Sequence, residues 1–210
     1  MQQKLAPILE QAGVVPVLVI DRSEDAVPLA RALFAGGLNV LEVTLRTEAA
    51  LAAVTEISKH LPEAHVGTGT VLNGEDLRRS ADAGASFAVS PGATPALLDA
   101  AETAEIPLLP GGTSPSQVME LLERGYRYQK FFPAEAAGGA AMLKSMAGPL
   151  PQVNFCPTGG IGPANAPDYL RLGNVVCVGG SWMANPRLVE EKNWAEITRL
   201  AAQAKALAQP

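Results

Sequence analysis

NVLEVTLRTEAALAAVTEISKH, Asn39 to His60, carries two periodicities back to back. From Asn39 to Leu45 the pattern alternates. Val40, Glu42 and Thr44 share one face with Arg46 beyond them, and Leu41, Val43 and Leu45 share the other. From Thr47 onward alanine, leucine, valine and isoleucine recur at helical spacing. The stretch therefore predicts a strand followed by an amphipathic helix, one βα unit. The apolar face of the strand suits contact with its helix, which leaves Glu42, Thr44 and Arg46 on the opposite side.

The same unit recurs in both directions. Strand-like runs stand at VVPVLVI (14–20), NVLEVTL (39–45), AHVGTGT (64–70), SFAVS (86–90), IPLLPG (106–111), YRYQKFF (126–132), QVNFCPT (152–158) and NVVCVGG (174–180). Between them lie helical candidates such as SEDAVPLARALFAGG, GEDLRRSADAG, TPALLDAAET and SPSQVMELLERG, several opening on Ser, Thr or Asp and most followed by Gly. A repeat of roughly twenty residues that alternates strand and helix implies a parallel sheet covered by helices. With no spare segment, the expectation is a single-domain (β/α)8 TIM barrel over residues 1–210, preceded by a short N-terminal helix. A doubly wound dinucleotide fold is the alternative. It is disfavoured because Ile20 is followed by DRSEDAVP, which has no glycine, and GTGTVLNG at Gly67 is only superficially glycine-rich.

Composition narrows the function. Hydrophobic residues make up 48% and aromatics 5%, so Ala, Val, Leu and Ile fill the core. A formal net charge of −5 with no basic cluster argues against a nucleic-acid or anionic-membrane surface. Cys156 and Cys177 lie in apolar runs without metal-ligand spacing and read as buried thiols of a reducing compartment. MQQKLAPILEQAG has no basic segment leading a long apolar one, and no apolar run approaches about 18 residues, so a cytoplasmic protein is expected.

In YRYQKFFPA, Tyr126 to Ala134, alternation puts Lys130 on one side with Tyr126, Tyr128 and Phe132, and Arg127, Gln129 and Phe131 on the other. An ammonium among aromatic groups loses hydration, which disfavours its charged form and frees an amine that can attack carbonyls. An edge-strand lysine, or one that snorkels to water, is the plain alternative. Glu42 in mid-strand is costly to bury unless paired or used. A structural Glu42–Arg46 or Glu42–Lys130 ion pair answers that cost, and so does a catalytic one. An amine and a carboxylate facing one dry cavity from different strands are the minimum set for imine chemistry at a ketone.

Cleaving a carbon–carbon bond beside a ketone needs a sink for two electrons, either a protonated imine or a metal enolate. His60 and His65 are placed toward the face opposite the strand ends, so a histidine-held zinc is not expected. A Mg²⁺ held by Glu42 and Glu135 stays open, with Lys130 the simpler sink; no metal and no cofactor is expected. PTGGIGPAN (157–165) and VGGSWM (178–183) end the last two strand runs in paired glycines, whose freed N–H groups suit a phosphate. Thr158 is a substrate contact or a strand end, Phe132 a wall that keeps the amine dry, and Pro91 and Pro133 shape strand exits. Trp182 caps the interior or meets a neighbouring subunit.

Taken together, EVTLRT (42–47), VGTGTV (66–71), SPG (90–92), KFFPAE (130–135), FCPTGGI (155–161) and VGGSW (178–182) resemble the 2-keto-3-deoxy-6-phosphogluconate aldolases, members of which also cleave 4-hydroxy-2-oxoglutarate. The resemblance runs over nearly the whole chain, in order. It implies a class I aldolase with Lys130 as the Schiff-base lysine and Glu42 as general acid/base. Arg46 and Thr70 match the groups around the pyruvate carboxylate and carbonyl; Pro91, Phe132 and Thr158 stand beside them as further substrate-binding candidates. Gly159, Gly160, Gly180 and Ser181 match the phosphate contacts. The implied partner is a phosphorylated 2-keto acid, and the implied assembly is a homotrimer. PGGTSPSQ (110–117) departs from the pattern at the fifth strand end and leaves Thr113 and Ser114 without a role. The rivals are an isomerase or epimerase that uses Lys130 as a clamp, an aldolase for the galactonate epimer, and a non-catalytic barrel with a buried polar network.

Overall fold

The computed structural model describes residues 2–208; Met1, Gln209 and Pro210 of the expected 1–210 domain lie outside the described residues. Helix α1 (Gln2–Ala12) leads into β1 (Val14–Leu18), α2 (Ser23–Ala35), β2 (Val40–Thr44), α3 (Ala50–His60), β3 (His65–Gly69) and α4 (Gly74–Asp82). The alternation continues through β4 (Phe87–Val89), α5 (Pro95–Glu102), β5 (Leu108–Leu109), α6 (Pro115–Glu123), β6 (Tyr128–Phe131) and α7 (Gly139–Ala147). Next come β7 (Asn154–Pro157), α8 (Ala166–Leu170), β8 (Val178–Gly180), a 3-10 turn (Trp182–Ala184), α9 (Pro186–Glu190) and α10 (Trp194–Leu207). Each strand-like run of the sequence contains one of these strands.

All strand pairings are parallel. Six strands form a sheet in the order β5-β4-β3-β2-β1-β8, and β6 and β7 form a two-stranded sheet. Isolated parallel bridges connect the two sheets, Gly111 to Lys130 at one seam and Phe155 to Val175 and Thr158 to Gly179 at the other. The architecture is thus an α/β domain with a parallel sheet and alternating helices.

Strand alternation splits the core in two. Leu41 and Val43 of β2, Phe131 of β6 and Phe155 of β7 face outward into a large cluster with the helices. Val15, Val40, Phe87, Val89, Leu109, Cys156 and Cys177 form a second, inner cluster. Helix α1 closes the bottom of that cluster. Its buried residues Leu5, Ile8, Leu9 and Ala12 follow the i, i+3, i+4, i+7 spacing of one helical face. Gln2 fixes the helix to the strand starts, donating from Nε2 to Leu108 O at 3.2 Å and accepting from Tyr128 N at 2.7 Å. The Tyr128 hydroxyl donates to Glu10 Oε1 at 2.5 Å.

Three sequence expectations need correction. Strand β6 begins at Tyr128, so Tyr126 does not share the lysine face but is buried in the outer cluster. Strand β2 ends at Thr44, and Arg46 sits in the following turn, exposed, with no ion pair to Glu42. Helices α2 and α3 lack side-chain caps, since their N-cap positions are Arg22 and Ala49. Asn73, Thr94 and Ser114 do cap α4, α5 and α6 through their side chains.

Candidate active site

Glu42 and Lys130 meet inside the domain, above the apolar plug. Their parity brings them there: Glu42 lies two residues along β2 from inward-facing Val40, and Lys130 lies two along β6 from Tyr128, which packs on the same inner cluster. Lys130 Nζ stands 3.1 Å from Glu42 Oε1 and 3.5 Å from Oε2. The two residues are 5% and 3% exposed, so the pair is almost dry. Of the ion pairs among the described residues it is the one with both partners buried; the others are at the surface. Neither lysine alternative, the edge strand or the snorkel, describes this side chain.

Glycines make the room. A methyl group on Gly69 would stand 2.1 Å from Glu42 Oε1 and 2.8 Å from Cδ, so the carboxylate occupies the volume that any side chain there would need. Gly67, two residues earlier on β3, admits the Phe87 ring in the same way, at 2.5 Å. Gly179 admits Thr158, whose Oγ1 would lie 2.4 Å from an added methyl. Thr158 is buried, and its hydroxyl has no partner among the described residues. Residues 67, 69 and 179 are sites that sequence reading missed; the period-2 glycines of GTG were the available signal for the first two.

Beyond the pair, the strand ends carry the other candidates. Phe132 is 37% exposed, and its ring centroid lies 5.5 Å from Lys130 Nζ, as a wall of the amine's surroundings. Thr70 follows β3 with φ of 61°, a left-handed conformation uncommon for a non-glycine residue. Pro91 is half-buried, with its carbonyl against Gly111. Gly159 and Gly160 have φ of 104° and 76°, which favours glycine; the Thr158–Gly179 bridge turns Gly159 N–H toward β8, and the N–H groups of Gly160 and Ile161 find no acceptor among the described residues. Gly180 ends β8 with the Trp182 ring where its side chain would be, and exposed Ser181 precedes the 3-10 turn. Trp182 thus packs on its own strand end.

Thr113 and Ser114 acquire a role. Ser114 Oγ accepts from Gln117 N at 3.3 Å while Gln117 Oε1 accepts from Ser114 N at 3.1 Å, a reciprocal cap on α6. Thr113 donates from its backbone to the same Gln117 oxygen.

Cys156 and Cys177 are buried, free thiols below the pair. The hydrogen bond with Cys156, together with burial, pushes the Cys177 thiol well above its ordinary range, so it stays protonated. No group of three or more His, Cys, Asp or Glu that could hold a metal occurs among the described residues. No helix there is long and apolar enough to cross a membrane.

An amine and a carboxylate 3.1 Å apart in an almost dry interior are placed for proton transfer between them. That is the equipment of an imine-forming carbon–carbon lyase, a class I aldolase. The KDPG and KHG aldolase model matches residues 5–200, and the chain belongs to that family. It is 52% identical over 197 residues to the KHG/KDPG aldolase of Escherichia coli K12, covering 94% of this chain and 92% of that protein. Among solved structures, it is similar to the KDPG aldolase of Legionella pneumophila, in which pyruvate was captured at low pH as a covalent carbinolamine (TM-score 0.92, 49% identity, 94% of this chain and 96% of that one). The Zymomonas mobilis ZM4 enzyme with 3-phosphoglycerate matches at TM-score 0.92 and 48% identity, over 99% of this chain and 97% of that one.

Proposed function

We propose that this class I aldolase cleaves 2-keto-3-deoxy-6-phosphogluconate to pyruvate and glyceraldehyde 3-phosphate, and 4-hydroxy-2-oxoglutarate to pyruvate and glyoxylate, with Lys130 forming the imine. The observation that carries the assignment of roles is the buried contact of 3.1 Å between Lys130 Nζ and Glu42. A proton passes from the ammonium to the carboxylate, and the neutral amine adds to the C2 ketone. Glu42 then protonates the departing hydroxyl, water leaves, and the protonated imine remains. The Glu42 carboxylate next removes the C4 hydroxyl proton. The C3–C4 bond breaks, its electrons move into the imine, and the aldehyde departs. Glu42 returns a proton to C3 of the enamine, and water releases pyruvate from Lys130.

Arg46 and Thr70 hold the pyruvate carboxylate end. The unpartnered Thr158 hydroxyl supports a contact there too, because a buried hydroxyl without a partner is costly until a ligand supplies one. Pro91 and Phe132 bound the keto-acid end, and Gly159, Gly160, Gly180 and Ser181 receive the phosphate. The bound molecules named for the Legionella and Zymomonas enzymes, pyruvate and 3-phosphoglycerate, fit these two ends of the reading. The finer architecture belongs to the same proposal. The eight strands close as a (β/α)8 TIM barrel through the bridges at both seams, in one domain over 1–210. The protein works as a cytoplasmic homotrimer in sugar-acid breakdown of the Entner–Doudoroff kind.

Borohydride reduction in the presence of pyruvate tests the central claim. The expected result is irreversible inactivation with a mass increase located on Lys130. An enzyme that keeps full activity and unmodified mass after that treatment would refute the imine and leave the clamp reading of an isomerase.

A further inference from the structure

Five residues beyond Lys130, the side chain of Glu135 lies against the double-glycine turn, and the imine chemistry gives it no task. The chain runs from the lysine strand directly onto that turn. Ala134 N–H donates to Thr158 O at 2.8 Å, and Glu135 N–H donates to Gly159 O at 3.1 Å. A methyl group on Gly160 would stand 2.7 Å from Glu135 Cγ and 2.8 Å from Cβ, so the turn rests on the stem of the glutamate. The carboxylate itself points elsewhere: Oε1 accepts from the hydroxyl of Tyr169, which is 1% exposed. Tyr169 belongs to α8, the helix that follows the turn. Gly139 borders this contact, since a methyl there would lie 3.4 Å from both Glu135 Oε1 and the Tyr169 oxygen, an ordinary van der Waals distance. Burial and the bond to Glu135 push the Tyr169 phenol well above its ordinary range, so it remains a donor.

Two consequences follow for the turn. Its distance from Lys130 is set by a packed stem rather than by a free loop. Its N–H groups at Gly160 and Ile161 have no protein acceptor among the described residues, and the nearby carboxylate is held by the phenol. A carboxylate released beside these two donors would accept them through charge-assisted bonds, and its charge would repel a phosphate. We propose that Glu135, held by Tyr169, is a positioning residue that keeps the Gly159–Gly160 turn vacant and at a fixed distance from Lys130 for the phosphate end of the substrate. This rests on the aldolase reading above.

The test separates the two ends of the substrate. For Y169F and, independently, E135A, KM for 2-keto-3-deoxy-6-phosphogluconate is expected to rise about tenfold, the loss of one good hydrogen-bonded arrangement. The rate of borohydride trapping by pyruvate, which has no phosphate, is expected to stay within about twofold of the parent. E135Q keeps an acceptor for the phenol and should behave as the parent. E135A, changed at an exposed position, carries the test if Y169F does not fold. A KM unchanged in the variants, or trapping that falls in step with the rise in KM, would overturn the positioning role while leaving the aldolase intact. A parent enzyme that neither traps pyruvate nor turns over the phosphorylated substrate would overturn the aldolase reading, and this proposal with it.

Discussion

The lower and upper halves of the interior are built by the same strands and differ in almost everything else. Below, Val15, Val40, Phe87, Val89 and Leu109 meet the apolar face of α1 in a dry cluster. Above, two residues further along β2 and β6, the inward positions carry a carboxylate and an amine in contact at 3.1 Å. The lower half gains from each apolar group it removes from water, about 25 cal/mol per Å². The upper half runs against that gradient, because two buried charges cost several kcal/mol in desolvation and an isosteric apolar pair would often be neutral or stabilising. One end therefore holds the fold, and the other end is held by it. Variants in the two halves should accordingly fail in different assays.

The largest effect is expected from Lys130→Met. Without the amine no imine forms, and kcat should fall on the order of 10⁴-fold or more, with no borohydride adduct at any pyruvate concentration. A variant retaining even a hundredth of the parent rate would place the chemistry on another group. Lys130 and Glu42 were legible because alternation along a strand is a property of the local sequence, and Leu41 and Val43 fixed which face looks outward. The alternation of helices with parallel strands followed from the repeats for the same reason. Local pattern gave less elsewhere. Arg46 continues the alternation of β2 on paper, but the strand stops at Thr44, and a face ceases to mean anything where the ladder ends. Tyr126 fails at the other boundary, two residues before β6 begins. The support of Glu42 by Gly69 depends on which residue lies across the sheet, and nothing within GTGTV states that.

Glu42→Gln keeps the shape and removes the proton carrier. Turnover should drop about 10²- to 10⁴-fold, measured as pyruvate release in a coupled assay. Trapping with pyruvate should slow as well, because the dehydration step needs the same acid. If Glu42→Gln were indistinguishable from the parent, the buried pair would be structural, and the contrast between the two halves would lose its meaning.

Gly69→Ala tests the same pair without touching either member. The added methyl claims the volume of Glu42 Oε1, so the carboxylate must shift away from its place beside Lys130. A fall in kcat of roughly 10- to 100-fold is expected from that displacement, with an overpacking cost of about 1–3 kcal/mol in unfolding free energy. Denaturant unfolding alongside steady-state kinetics reads both.

The lower half should give the opposite signature. Leu9 is 1% exposed on the buried face of α1. Leu9→Ala removes a large apolar group from the plug and is expected to cost about 2–5 kcal/mol of stability in urea unfolding. Below the unfolding transition its kcat and KM should match the parent's, since α1 covers the end remote from the strand ends that carry the glycine turns. A Leu9→Ala enzyme that remains folded but loses turnover would show that the plug transmits strain to the Glu42–Lys130 pair.

The smallest effect concerns the contact that fastens the plug. The hydrogen bond to Glu10 and partial burial push the Tyr128 phenol up to about 12 from an ordinary value of 10. Because the folded protein binds this proton more tightly than the unfolded chain does, the contact contributes its stability fully below about pH 10. That contribution is lost as the pH rises toward about 12. The Tyr128–Glu10 contact is largely open to solvent, so the contribution is small. Tyr128→Phe should leave unfolding unchanged in slope near neutral pH and flatten the decline of stability between about pH 10 and 12. Activity near neutral pH should not change, because the hydroxyl lies at the α1 end of the molecule while Lys130, two residues along the same strand, faces Glu42. An alkaline decline identical in the two proteins would remove Tyr128 as the fastening and leave Gln2, through its bonds to Leu108 and Tyr128, as the contact that seats the helix.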